Sequence, residues 1–200
     1  MRVTVIDYKA GNLTSVLKAL RHLGAEPEVT DSDATLVARA ERIVLPGVGH
    51  FAATKRLDET GLTPAIRAAV AQDVPFLGIC VGMQWLFAGS SEAPEQPGLA
   101  AFDERCSRFT EGTEKIPHVG WNSLDIQPSS RLLYGVPNGA FVYFTHSYRA
   151  PVTADTAAVT SYIEPFAAAV ERGSIFGTQF HPEKSSDTGL RILKNFLEVG

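Results

Sequence analysis

Val74-Pro75-Phe76-Leu77-Gly78-Ile79-Cys80-Val81-Gly82-Met83-Gln84 is a short apolar run that stops on a cysteine with a glycine two residues away on each side. A helical pattern, Gln84-Trp85-Leu86-Phe87, starts at once. Buried strand, sharp turn and helix in that order make a nucleophile elbow. The turn forces the central residue into a strained backbone region, and the two glycines remove Cβ atoms that would block it. At a helix start, unpaired N–H groups and the helix dipole favour thiolate over thiol. Taken alone, Cys80 also reads as a small buried hydrophobe, the usual place of a free cysteine.

Working outward, the upstream half alternates strand and helix. Val3–Ile6 is a buried-strand run, and a helix follows from about Asn12 to Leu23, ending at Gly24. Leu13, Val16, Leu17, Leu20 and Leu23 give that helix one apolar face. Ile43–Leu45 is a second strand, and a helix carrying Ile66, Ala69 and Val70 leads into the elbow. Such alternation predicts a parallel sheet covered on both faces. Downstream, Phe141–Phe144, Ala157–Ser161, Phe166–Val170 and Ile175–Gln179 are close-set strands, with Glu171–Ser174 as a hairpin connection and Gly189–Leu197 as a last helix. Ser90–Pro97 reads as an exposed loop. The expected fold is α/β: a mostly parallel central sheet flanked by helices, with a smaller antiparallel sheet, in one domain over residues 1–200.

Two hundred residues at 44% hydrophobic content suffice for one sizeable core. The net charge of −4 is mild and the charges are interspersed, which argues against nucleic acid or an anionic membrane surface as partner. No apolar stretch approaches the ~20 residues that span a bilayer. The N-terminus reads as a first strand rather than a signal peptide. With only Cys80 and Cys106, a disulfide framework is implausible, and a reduced, cytoplasmic setting is expected.

Two further segments suit a thiol nucleophile. In Gln179-Phe180-His181-Pro182-Glu183-Lys184-Ser185, a strand delivers His181 and Pro182 turns the chain, leaving Glu183 within reach of the imidazole. A thiol needs a base, and the base works best when a third group fixes its tautomer. The same residues also read as a plain helix start with Glu183 at its N-terminus. In Pro46-Gly47-Val48-Gly49-His50-Phe51, glycines on both sides of Val48 permit an unusual peptide orientation. The N–H groups of Val48 and Val81 are the candidate donors to a developing oxyanion. Phosphate binding is the alternative for this loop, but it lacks both the third glycine and the Lys-Ser/Thr that phosphate loops require.

Together these segments resemble the class I, triad-type glutamine amidotransferases. More narrowly, Asp7-Tyr8-Lys9-Ala10-Gly11-Asn12-Leu13, Ile116-Pro117-His118-Val119-Gly120-Trp121-Asn122 and Tyr143-Phe144-Thr145-His146-Ser147-Tyr148 are similar to the glutaminase subunits of imidazole glycerol phosphate synthases. The likeness runs from residue 2 to about 197. It implies Cys80, His181 and Glu183 as a catalytic triad, and Gly49, Gln84 and Glu92, with backbone at Ser147 and Tyr148, as the holders of glutamine. It also implies that Asn12, Tyr143 and Lys184 face a (β/α)8-barrel cyclase. No cofactor and no metal are implied. Lys9 stands where that family usually has glycine, and His50 where it commonly has a small residue. His50 is expected to start a helix, His118 and His146 to be structural or interface residues, and Trp121 to pack in the core or an interface. Cys106 is expected to be incidental in a polar loop.

The implied reaction is two-step acyl transfer, in which glutamine becomes glutamate and ammonia. Because the glutaminase elements fill residues 2–197, the acceptor of ammonia is expected on a second chain. The cyclase would join that ammonia to a phosphoribulosyl carboxamide nucleotide, giving imidazole glycerol phosphate and aminoimidazole carboxamide ribotide in histidine biosynthesis. Three readings compete: a cysteine hydrolase or chaperone-like domain sharing the elbow, a glutaminase of anthranilate synthase or pyridoxal phosphate synthesis, and an interaction subunit with a dead site.

Overall fold

The computed structural model describes residues 1–9, 13–110, 112 and 114–199. Asn12 and the start expected for the first helix lie outside them. The chain opens with β1 (Arg2–Ile6), α1 (Leu13–His22), β2 (Glu26–Thr30), α2 (Ala34–Ala38) and β3 (Ile43–Gly47). A 3-10 turn (Phe51–Thr54), α3 (Lys55–Glu59) and α4 (Leu62–Ala71) lead to β4 (Phe76–Cys80) and α5 (Val81–Trp85). Next come β5 (Phe87–Ser90), β6 (Ala93–Pro97), β7 (Phe102–Arg108), β8 (His118–Ser123) and β9 (Asp125–Ile126). Then β10 (Phe141–His146), β11 (Tyr148–Arg149), β12 (Thr156–Ser161), β13 (Pro165–Arg172) and β14 (Ile175–Thr178) precede a 3-10 turn (Pro182–Lys184) and α6 (Ser186–Glu198).

Eight strands form the central sheet in the order β2-β1-β3-β4-β14-β13-β12-β9. The pairings from β2 through β14 are parallel, and β13, β12 and β9 continue the sheet antiparallel. Two smaller sheets stand beside it: β10-β8, which is antiparallel, and β11-β7-β5-β6. The α/β class with its parallel start is as the sequence pattern requires. Strands 156–161 and 165–172, however, extend the main sheet instead of standing apart.

Local chemistry explains the elements. In α1, Val16, Ala19 and Leu20 are buried, Arg21 and His22 occupy the last turn, and Gly24 follows at φ +81°. Asp33 caps α2, accepting from the N–H groups of Thr35 and Leu36 at 2.9 and 3.0 Å. The wholly buried β3 and β4 lie at the centre, where parallel strands need apolar residues on both faces.

Three expectations are corrected. Residues 90–97 are not a plain loop: β5 and β6 pair as an antiparallel hairpin. The pattern there was hidden because Pro94 and Pro97 lie in an edge strand, where a missing N–H costs no ladder bond. Cys106 is in β7 rather than a loop. It is buried, with its thiol donating to the Gln84 carbonyl at 3.9 Å and its pKa pushed up by burial. The last helix starts at Ser186, three residues before Gly189.

Candidate active site

Sheet register assembles the site. β4 lies between β3 and β14, with Gly47 opposite Cys80 and Thr178 opposite Ile79. The chain leaving β14 therefore carries Gln179, Phe180 and His181 past the end of β4, where Cys80 sits. Cys80 is buried and has φ 56° and ψ −108°. A side chain held at positive φ costs on the order of 1–3 kcal/mol, a strain typical of functional turns. The following helix packs so tightly that a Cβ at Gly82 would fall 1.9 Å from the Leu45 carbonyl oxygen.

His181 Nδ1 lies 2.8 Å from Glu183 Oε1, with both side chains almost fully buried. Its Nε2 is buried with no hydrogen-bond partner. Burial pushes the imidazole pKa down, but the Cys80 sulfur and then Glu183 outweigh it and carry the pKa up to about 10. The site thus favours a protonated imidazole. The Cys80 thiol faces the Thr145 carbonyl at 3.9 Å, and the Gln179 amide points at the sulfur from 3.7 Å.

A cavity of about 200 Å³ opens on the sulfur, lined by Gly49, Cys80, Val81, Gln84, Glu92, Pro117, Thr145, His146, Ser147 and Tyr148. That is below the ~300–1,000 Å³ of sites for drug-sized ligands and suits an amino acid. Five residues expected around glutamine line it together. Val48 is half-buried and is not among the lining residues. Gln84 is buried, and its amide nitrogen donates to the Tyr148 carbonyl at 2.9 Å and to Gln179 Oε1 at 3.1 Å. Both amide hydrogens serve the protein, which leaves its oxygen for the cavity. Glu92 accepts from the Phe51 N–H at 2.7 Å, tying the β5–β6 hairpin to the segment after Gly49.

His50 accepts from the Ala52 N–H through Nδ1 at 3.1 Å and caps the turn that begins at Phe51. Lys9 holds φ 64°, secured by its N–H on Asp7 Oδ1 and its Nζ on Asp7 and Asp31. Tyr143 and Lys184 lie outside the cavity, with Lys184 Nζ 5.9 Å from the centre of the Tyr143 ring. Trp121 is exposed rather than in the core. A larger depression of about 460 Å³, near Arg131 and Asp155, has no cysteine or histidine in its lining.

The sequence reading missed Gln179 and the part played by Thr145. Gln179 follows the end of β14 in a bend, so strand alternation gave no signal that it would reach the Cys80 sulfur.

An elbow cysteine, a Glu-oriented histidine and an amino-acid-sized cavity on this sheet define an amidotransferase, and residues 4–199 match accordingly: the chain belongs to the glutamine amidotransferase class-I family. A solved structure of PurLQS from Thermotoga maritima has a TM-score of 0.72 at 18% identity, over 98% of this chain and 97% of that one, a likeness of fold. Within the family, the chain is 44% identical over 200 residues to the imidazole glycerol phosphate synthase subunit HisH of Moorella thermoacetica, covering 98% of this chain and 94% of that one. It is 45% identical over 202 residues to the HisH subunit of Bacteroides fragilis, covering all of both chains. These identities make it a member of the HisH family.

Proposed function

We propose that this chain, as a single glutamine amidotransferase domain over residues 1–200, hydrolyses glutamine to glutamate and ammonia and hands the ammonia to a (β/α)8-barrel cyclase in histidine biosynthesis. The observation that carries the reading is the β4–β14 register, which sets His181, with Glu183 at 2.8 Å, beside the Cys80 sulfur. The Cys80 thiolate attacks the carboxamide carbon of glutamine. The tetrahedral intermediate collapses as His181 gives its proton to the leaving nitrogen, releasing ammonia and leaving a thioester. Water then attacks that thioester while His181 takes its proton, and Cys80 departs as thiolate. Glu183 holds the imidazole in the tautomer with Nε2 toward the sulfur.

The N–H groups of Val81 and Val48 stabilise the oxyanion, each worth about 3 kcal/mol. Gly49, Gln84, Glu92, Ser147 and Tyr148 hold glutamine. Val48 lies outside the cavity lining, so the Gly47–Gly49 peptide turns into its donor orientation when the cyclase docks. The cyclase seats against Asn12, Tyr143 and Lys184; Tyr143 adjoins Trp121 on an apolar face where Val119, Trp121 and Phe141 are each more than half exposed. Among the described residues no helix is long and apolar enough to cross a membrane, and the setting assigned is the cytoplasm.

The test is a glutaminase assay of wild type and Cys80→Ala, each with and without the barrel cyclase and its ligand. Wild type is expected to be nearly inactive alone and active in complex, and Cys80→Ala inactive in both. Equal wild-type rates with and without the cyclase would remove the activation step; ammonia released by Cys80→Ala would remove the nucleophile.

A further inference from the structure

Buried polar groups beyond the triad form one chain with a defined direction of donation. Tyr148 O can only accept, so His146 Nδ1, 2.9 Å away, carries a proton. In the neutral ring His146 Nε2 is then the acceptor, and His118 Nδ1 donates to it at 3.1 Å. His118 Nε2 in turn faces the Asn122 amide nitrogen at 3.4 Å. From the other side, Gln84 gives one amide hydrogen to the same Tyr148 oxygen and the second to Gln179 Oε1. With its oxygen facing that NH2 group, Gln179 turns its own NH2 to the Cys80 sulfur, 3.7 Å away. Gln179 is fully buried, so water cannot substitute for it.

The sulfur thus meets two unlike groups. The Thr145 carbonyl at 3.9 Å accepts and suits the thiol, whereas the Gln179 amide donates and suits the thiolate. We propose that Gln179 is a further catalytic residue, its amide stabilising the Cys80 thiolate both before attack and as the group expelled when the thioester is hydrolysed. Gln84 stands behind it as a positioning residue, fixing which end of the Gln179 amide meets sulfur. This rests on the glutaminase reading above and adds to it a donor that acts on the nucleophile.

The test uses the full chain with the barrel cyclase. Gln179→Met keeps the length and volume without the donor, and Gln179→Glu keeps the shape but turns a carboxylate oxygen to the sulfur. For both variants, kcat for glutamine hydrolysis is expected to fall about tenfold or more with KM within about twofold, the lower end of what a hydrogen bond to a charged group contributes. Iodoacetamide alkylation of Cys80, followed across pH, is expected to reach half its plateau about one pH unit higher than in wild type. If Gln179→Met does not fold, Gln84→Leu serves, since it leaves Gln179 in place but free to turn; a smaller shift in the same direction is expected. Wild-type kcat and an unmoved alkylation profile in variants that fold, with Cys80→Ala inactive, would overturn the proposal. Activity in Cys80→Ala would instead overturn the reading beneath it, and the proposal with it.

Discussion

Replacing both buried histidines by glutamine, His118→Gln with His146→Gln, should change how stability depends on pH in a calculable way. His118 and His146 are 3% and 6% exposed. Burial lowers the His118 pKa from 6.5 to about 4. Burial lowers that of His146 to about 3, aided by His118 and His181 and opposed by its bond to the Tyr148 carbonyl. Both rings are therefore neutral when folded and take up protons on unfolding below pH 6.5. The stability linked to their neutral state is complete above pH 6.5 and is lost as pH falls toward 4 and 3. At pH 5 an unfolded histidine of pKa 6.5 has gained about 1.5 pH units of protonation free energy that the folded one has not. That is about 2 kcal/mol per residue and about 4 kcal/mol for the pair. Urea unfolding at pH 7.5 and 5.0, on wild type and the double variant, measures it. The triad and the surface groups titrate alike in both proteins and cancel in the difference. Wild type's stability relative to the variant should drop by about 4 kcal/mol between the two pH values, and by about half that against His146→Gln alone. A difference that does not change with pH would refute the neutral pair and the direction of donation built on it.

Gly47→Ala would place a Cβ 1.9 Å from Tyr8 Oη and 3.0 Å from Val81 Cβ. A loss of about 1–3 kcal/mol in unfolding free energy is expected, partly recovered by adding Tyr8→Phe. Glu183→Gln removes the charge that orients His181 and helps to raise its pKa. The glutaminase rate of the complex should fall roughly a hundredfold or more, with the basic limb of its pH profile moved down. Trp121→Ala, at a residue 51% exposed, should leave unfolding free energy within about 0.5 kcal/mol of wild type yet weaken cyclase binding in titration calorimetry by about 2 kcal/mol or more.

The fold was legible where burial was two-sided. Ile43–Leu45 and Val74–Ile79 are continuous apolar runs, and Val3–Ile6 is broken only by the buried Thr4, because parallel central strands have no solvent face. Edge strands carry no such signal. β2 is Glu-Pro-Glu-Val-Thr and β6 is Ala-Pro-Glu-Gln-Pro, both largely exposed, and neither was read as strand. The meeting of Cys80, His181 and Glu183 was legible because an elbow and a His-x-Glu segment each announce themselves within a few residues. The His118–His146 and Gln179–Cys80 contacts join residues 28 and 99 positions apart, a pairing set by the fold that no local pattern records.

The antiparallel β8–β10 pair explains why an apolar surface and the Cys80–His181 pair can lie so close together. Along β10 the side chains alternate: Val142, Phe144 and His146 are buried, while Phe141 is exposed and Tyr143 and Thr145 are half-buried. Tyr143 faces Trp121 and Thr145 faces Val119 across the ladder, so the outward side of this two-stranded sheet is aromatic and aliphatic. The backbone of the same strand touches both Cys80 and His181. Tyr143 O accepts the His181 N–H at 2.9 Å, Thr145 O accepts the Cys80 thiol, and the Tyr143 N–H donates to Ser185 Oγ, which donates to His181 O. A load on the outward side chains therefore bears on the frame that sets the distance from sulfur to imidazole. Misplacement of reacting groups by about 1 Å can cost a hundredfold in rate. A shift of β10 by that much would therefore slow the proposed reaction on that scale, with no long relay between surface and site.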